Sequence, residues 1–341
     1  MNRNQWLALG GAGIGAAAAL HHAWRKSRAV DLSGEVALIT GGSRGFGLAL
    51  ARQFAAQGCR IAICARDQEE LERARAILED EGISAFAYPC DVSDPQRVDE
   101  LIRKVRERLG RVDILVNNAG VIMVAPIENT TIADFERAME IMFWGVVHPT
   151  LAVLPEMIER GRGRIVTITS IGGKVSVPHL NAYSCAKAAA VAFCEGLHAE
   201  MSPHGVQVTT IAPGLMRTGS HVNAVFKGDH QNEGKWFSAA ATLPGITMSA
   251  ERAARQTVEA VRQGTAVKVL STQADLLARA NGAFPGLIPA LMSLIVPLLP
   301  GATGDSITAK EGRKLRLDQG RLFRTLTTLG RQAGARLNQP A

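Results

Sequence analysis

Disulfide pairing, zinc coordination and internal repetition are all missing from this 341-residue chain. Its five cysteines, Cys59, Cys64, Cys90, Cys185 and Cys194, are odd in number and contain no Cys-x-x-Cys pair. That excludes a disulfide scaffold and fits reduced thiols, mostly in the interiors of helices and strands, in a cytosolic setting. The eight histidines show no ligand grouping, so no metal is expected; His179, His221 and His230 read as polar residues near substrate loops. No aromatic-plus-basic pattern accompanies the charge, which argues against nucleic-acid binding. Acidic residues are absent from positions 1–30, giving +4 there; positions 301–341 carry eight Lys or Arg against three acids, giving +5 and leaving −2 of the total +7 for everything between. The basic balance therefore belongs to two tails. With no low-complexity stretch or long linker, the length fits one α/β domain with extensions at both ends.

The most informative stretch present is Tyr183-Ser-Cys-Ala-Lys187, in which a phenol and an ammonium four residues apart share one helix face. Ser170 closes the strand-like run Arg164-Ile-Val-Thr-Ile-Thr-Ser170, thirteen positions earlier. A phenol titrates near pH ~10, and an ammonium beside it favours the phenolate, moving the group toward general acid–base use. Ser170 is placed to hold a substrate oxygen, Tyr183 to exchange its proton, and Lys187 to tune Tyr183 and bind a ribose.

Upstream, the apolar run Val36-Ala-Leu-Ile-Thr40 reads as a buried parallel strand and is followed at once by Gly41-Gly-Ser-Arg-Gly45-Phe-Gly47 and a helical pattern. Such a turn admits a pyrophosphate to the backbone and aims a helix N-terminus at it. The spacing Gly41, Gly45, Gly47 differs from Gly-x-Gly-x-x-Gly. Further landmarks end apolar runs: Arg66 after Ile61–Cys64, Asp91 after Ala85–Tyr88, and Asn117-Asn-Ala-Gly120 after Val112–Val116. Strand C-termini are where open α/β sheets bind ligands.

On Thr40-Gly-x-x-x-Gly-x-Gly47, Asp91-Val92, Asn117-Asn-Ala-Gly120, Ser170, Tyr183-x-x-x-Lys187 and Pro213-Gly214, the chain resembles the short-chain dehydrogenase/reductase family from about Leu32 to about Thr272. The resemblance implies a doubly wound, Rossmann-type parallel sheet, a nicotinamide cofactor and hydride transfer at a carbonyl carbon. It also implies catalytic roles for Ser170, Tyr183 and Lys187. Cofactor contacts are implied for Gly41, Ser43, Arg44, Gly45, Phe46, Gly47, Val92, Ala119, Gly120, Pro213 and Gly214. Asp91 is expected near the adenine, Asn118 near the adenosine-side ribose and Thr218 near the pyrophosphate. One position departs from the pattern: Met142 stands where the family usually has an asparagine that holds a relay water, and a thioether cannot donate a hydrogen bond. A cofactor-binding scaffold or redox sensor with weak chemistry is the rival that Met142 raises.

An acidic residue at the end of the second strand selects NAD, whereas a 2′-phosphate needs cations. That place reads Cys64-Ala-Arg66-Asp67, with Arg44 in the glycine turn, so two guanidinium groups are expected to converge on NADP(H).

The ends are apolar or basic. Between Trp6 and Trp24 no Lys, Arg, Asp or Glu occurs. A helix over that length spans ~27 Å, near the ~30 Å of a bilayer core. Arg25, Lys26 and Arg28 put the catalytic domain on the cytoplasmic side. Residues 1–31 are thus expected to be a membrane anchor, with a cleaved signal peptide or a soluble packing helix as alternatives. Residues 273–341 form an apolar, proline-rich and basic extension. Its run Ala283–Pro300 is expected to form short helical pieces covering the substrate mouth or lying in the membrane interface; a brace on the core or a contact in a homo-oligomer is the alternative. The expected protein is a membrane-associated NADP(H)-dependent oxidoreductase acting on a lipophilic alcohol, ketone or aldehyde, with the segment from Leu215 to Gly245 closing over the substrate.

Overall fold

A computed structural model describes residues 29–243, 245–302, 307–315 and 327–339. Short apolar runs form β1 (Val36–Thr40), β2 (Arg60–Ala65), β3 (Ala85–Pro89), β4 (Ile114–Asn117), β5 (Gly163–Ile168), β6 (Val206–Pro213) and β7 (Val267–Leu270). They make one parallel sheet in the order β7-β6-β5-β4-β1-β2-β3. The chain begins at the centre, winds out to β3, then returns to β4 and winds the other way. The switch point therefore lies between β1 and β4, where a doubly wound sheet opens a ligand crevice.

Between the strands run α1 (Gly45–Ala55), α2 (Gln68–Asp80), α3 (Pro95–Leu109), α4 (Ile132–Met139), α5 (Gly145–Glu159) and α6 (Asn181–Met201). They are followed by α7 (His230–Ala240), α8 (Ala250–Arg262), α9 (Thr272–Ala283), α10 (Leu287–Ile295) and α11 (Thr328–Arg336). Helices α1, α2 and α8 bury Phe54, Leu71 and Val258 against one face of the sheet. Helices α3, α5 and α6 bury Val105, Met157 and Cys194 against the other. Covered on both faces, β1 is buried at all five positions, which is why it reads as a continuous apolar run. Each fully buried side chain of this size contributes roughly 1.5–3 kcal/mol. Caps fix where the helices begin. Asp67 accepts the Glu70 N–H ahead of α2, and Asp94 accepts those of Gln96 and Arg97 ahead of α3, which Pro95 opens.

Helices α4 and α5 are joined by a π-helical turn, Glu140–Trp144, that buries Ile141 and Met142. Among the described residues, the span Ile132–Glu159 is long and apolar enough to cross a membrane, yet 56% of its apolar window is buried inside the fold. Packing in the core explains that composition. The anchor expected at residues 1–31 lies outside the described residues apart from its last positions. The run Ala283–Pro300 breaks into α10 and a short 3₁₀ turn, Val296–Leu298, as its prolines require. Most of its large side chains face outward: Phe284, Leu287, Leu294 and Leu298 are exposed, while Ile288 is buried. Beyond it, α11 turns back and places Ala333 and Leu337 in the same core cluster as Phe46.

Candidate active site

The crevice begins where β1 ends. The Thr40 hydroxyl accepts the N–H groups of Asn118 and Ala119 at 2.9 and 3.1 Å, and the Asn118 amide donates to the carbonyls of Thr40 and Gly41 at 3.0 and 3.1 Å. The ends of β1 and β4 are thereby locked together. Gly41 and Gly45 have φ of 62° and 56°, the left-handed region that favours glycine. At Gly47 an added Cβ would stand 2.1 Å from the Gly41 oxygen, so only glycine lets α1 start this close to β1.

A cavity of about 700 Å³ runs along this edge. Its lining includes the glycine turn with Ser43, Arg44 and Phe46; Arg66 after β2; Asp91 and Val92 after β3; Asn118, Ala119 and Gly120 after β4; and Tyr183, Lys187 and Thr218. Three expected residues fall outside the lining. Pro213 pairs with Leu270, and the Gly214 N–H donates to the Leu270 carbonyl at 3.1 Å, so both are engaged with the end of β7. Ser170 stands one residue beyond lining Thr169 and reaches the site through Tyr183.

Ser170 caps the 3₁₀ turn Ile171–Gly173, its hydroxyl accepting the Gly172 N–H at 3.0 Å. Its side chain also hydrogen-bonds that of Tyr183, in the first turn of α6. Lys187, one turn on, is 5% exposed. Its Nζ lies 5.9 Å from the centre of the Tyr183 ring and donates to the Ile168 carbonyl at 2.8 Å. Burial raises the Tyr183 phenol above its ordinary value, and the bond to Ser170 pulls it partly back. Burial lowers Lys187 from 10.5 to about 8. This corrects the expectation that Lys187 depresses the phenol. In the protein alone both groups have lost water, and the ammonium is directed at a backbone carbonyl.

Met142 is 1% exposed and borders the same point. A Cβ on Gly120 would lie 3.7 Å from its Sδ and 3.8 Å from the Lys187 Nζ. The residue that departs from the family pattern therefore packs beside Gly120, next to the lysine.

At the opposite end, Arg66 stands 3.9 Å from the Asp91 carboxylate. Burial pushes Asp91 up, but the bonds from Ser93 and the charge of Arg66 outweigh it and leave the carboxyl below its usual range. Arg44 pairs with Glu70 at 2.8 Å, and the Ser43 hydroxyl donates to the other Glu70 oxygen. The two arginines share this end, each beside a carboxylate. Glu70 was missed. Asp67-x-x-Glu70 carries a capping-box signature, but the Glu70 carboxylate turns to the glycine turn instead of back to the cap.

Two further features were not foreseen, the partner of His179 and the place of Gln339. His179, expected as a polar residue near the substrate loops, has φ of 65° and pairs at 2.8 Å with Glu233 of α7, whose other oxygen accepts the Trp236 N–H at 2.6 Å. This ties the segment ahead of Tyr183 to the segment expected to close over the substrate. Gln339, near the chain's end, lines the cavity. Among the described residues no cluster of His, Cys, Asp or Glu could hold a metal. All five cysteines are free; Cys185 is exposed and the other four are buried.

The arrangement fits a nicotinamide dinucleotide: a side-chain-free backbone cradle, cations at one end and a tyrosine–lysine pair at the other. The sequence profile of the family described as short chain dehydrogenase matches residues 35–227, more than half of the chain. The chain belongs to the short-chain dehydrogenase/reductase family. Members of this family are oxidoreductases that bind a nicotinamide cofactor. A fatty acyl-CoA reductase of Acinetobacter baylyi is 38% identical over 190 residues, 55% of this chain and 64% of that protein. The chain thus spans just under two thirds of that relative's length. Dehydrogenase/reductase SDR family member 7B of Xenopus tropicalis is 33% identical over 293 residues, 84% of this chain and 89% of its own. Among solved structures, a gluconate 5-dehydrogenase from Burkholderia cenocepacia in complex with NADP and tartrate superposes with a TM-score of 0.64 at 27% identity, covering 73% of this chain and 98% of its own. A short-chain dehydrogenase/reductase from Burkholderia phymatum in complex with NAD shares the fold, with a TM-score of 0.70 at 24% identity over 76% of this chain and 96% of its own.

Proposed function

We propose that the protein is an NADP(H)-dependent oxidoreductase that interconverts an alcohol and a carbonyl on a lipophilic small molecule. One observation carries the reading: a single cavity has Arg44 and Arg66 at one end and Tyr183 with Lys187 at the other. When bound, the cofactor supplies or accepts the hydride. The chain's own residues do the rest. The glycine turn gives backbone donors to the pyrophosphate, Arg44 and Arg66 take the 2′-phosphate, and Thr218 faces the pyrophosphate side. Ser170 holds the substrate oxygen, and Tyr183 gives its proton to that oxygen in reduction or removes it in oxidation. Lys187, lowered by burial to about 8, still carries its proton near neutral pH and would hold a cofactor ribose beside Tyr183.

The relative that acts on fatty acyl-CoA supports a lipophilic substrate. So do the exposed leucines of α9 and α10, because the Asn281 amide of α9 donates to the Lys174 carbonyl at 3.0 Å, four residues beyond Ser170. With residues 1–31 as anchor, 32–272 as catalytic domain and 273–341 as extension, we place the protein at a membrane with its catalytic domain in the cytoplasm. We assign it a small-molecule partner and self-association, and no nucleic acid.

Glu70 favours a second reading. Its carboxylate reaches Ser43 and Arg44 in the cavity, which is the chemistry that takes ribose hydroxyls in NAD-selective sites. Met142 keeps a third in view, a cofactor-binding protein of weak activity. Screening alcohols, ketones, aldehydes and acyl thioesters with NADPH and NADH separates them: turnover with NADPH supports the proposal, turnover with NADH alone supports the Glu70 reading, and cofactor binding without turnover supports the scaffold.

A further inference from the structure

The last described residues of the chain lie in the cofactor cleft. Leu337 is buried in the core with Phe46, and its carbonyl accepts the Gly45 N–H at 2.8 Å. That N–H is one of the donors that a helix N-terminus leaves without a partner in its own helix. Asn338 follows with φ of 54°, a conformation that asparagine tolerates better than most residues. Its amide donates to the Ser43 carbonyl at 2.8 Å and to the Glu70 carbonyl at 3.0 Å. Gln339 crosses to the other wall, donating to the Thr218 carbonyl at 2.8 Å and accepting from the Asn223 amide at 2.8 Å. A Cβ on Gly45 would come within 2.6 Å of the Gln339 amide nitrogen, and one on Gly219 would meet Gly334 of α11 at 2.6 Å. The absence of side chains at Gly45 and Gly219 therefore makes room for the tail as well as for a ligand.

Both walls of the cleft are thus joined by one short segment. On one side it holds the glycine turn and the start of α2, including the backbone that carries Arg44 and Glu70. On the other it holds the 218–223 loop. We propose that Leu337–Gln339 is a strap across the pyrophosphate end of the cleft, and that Asn338 and Gln339 are positioning residues for the cofactor which must open for it to enter or leave. The inference rests on the reading of this cleft as a nicotinamide dinucleotide site. Asn338 sets the cation-bearing wall, Gln339 sets the Thr218 wall, and the buried Leu337 anchors the segment between them.

The test uses the full chain and two variants that leave Leu337 in place. Gln339→Ala removes both bonds to the 218–223 loop. Asn338→Gly keeps the left-handed backbone and removes both bonds to the opposite wall. NADPH and NADH association and dissociation are followed by stopped-flow fluorescence. Backbone hydrogen exchange of the 43–48 segment is measured in the cofactor-free protein. With two hydrogen bonds lost, each variant is expected to release and take up cofactor about tenfold faster and to exchange faster at 43–48. Entry and release rates within about twofold of wild type in both variants would overturn the strap. A lower thermal midpoint with unchanged rates would also overturn it, since that is what a merely structural contact would give. If the wild type binds neither nucleotide, the cofactor reading falls and the strap falls with it. A wild type that binds both nucleotides, with rates unchanged in the variants, defeats the strap alone.

Discussion

Replacing Lys187 with methionine removes an ammonium that the fold holds at 5% exposure. Burial takes Lys187 from 10.5 to about 8, a difference of about 2.5. At roughly 1.4 kcal/mol per unit, keeping it charged costs the folded protein about 3 kcal/mol at neutral pH. The sign follows from proton counts. Between the folded and unfolded values the unfolded chain binds more protons, so wild-type stability rises as pH climbs from about 8 to 10.5, and the penalty is present in full below about 8. Methionine preserves the stem's packing but leaves the Ile168 carbonyl without the lysine's 2.8 Å bond, at a cost of about 1–3 kcal/mol. Near pH ~7 the two effects nearly cancel, and Lys187→Met should match wild type or exceed it slightly. Near pH ~10 wild type has recovered most of its penalty, so the variant should fall behind by roughly 2–3 kcal/mol relative to its standing at pH ~7. Urea unfolding of both cofactor-free proteins across that range measures the difference and cancels the other titrating groups. A wild-type-minus-variant difference that does not change with pH would refute the desolvated lysine.

Ser170→Ala removes the bond that lowers the Tyr183 phenol, so the pH at which alcohol oxidation sets in should move upward, with cofactor affinity unchanged; an unmoved profile would contradict the pairing. Met142→Asn should raise turnover at constant cofactor affinity if a donor beside Lys187 is what the proton path lacks, and a rate that stays at the wild-type level would remove Met142 from that path. Arg66→Ala should weaken NADPH at least tenfold more than NADH, since a charge-assisted phosphate bond is lost. Glu70→Gln should release Arg44 and strengthen NADPH relative to NADH; equal changes for both nucleotides in these two variants would reject the 2′-phosphate assignment.

The parts of the site that could be read in advance are those in which local sequence does local work. The run Val36–Thr40 and its three glycines prefigure β1, its turn and α1, because strand burial, left-handed backbone and close approach each demand a residue type at a fixed offset. Tyr183 and Lys187 were legible as one helix turn. Interactions across long separations were not. Gln339 meets Thr218 from 121 positions away, and nothing in a polar residue beyond a basic tail signals where α11 returns. Glu70 follows the Asp67 cap at a local spacing that says nothing of its carboxylate, which answers to the glycine turn. The direction of the Tyr183 shift depends on burial and on where the ammonium points, and spacing fixes neither. The departure at Met142 was visible, but its place in a π-helical turn was not.

The central claim is that Tyr183 moves the proton in a hydride-transfer reaction, and a single-turnover experiment on Tyr183→Phe tests it most directly. Protein loaded with NADPH is mixed with an aldehyde or ketone that the wild type reduces, and loss of NADPH absorbance is followed in time. The ring stays packed between α6 and the α4 side of the fold while the titrating oxygen is gone. The account predicts NADPH binding close to wild type, with hydride transfer slowed by about 10²-fold or more and the wild type's pH dependence abolished. A Tyr183→Phe protein that consumes NADPH at the wild-type rate, with the same pH dependence, would contradict it.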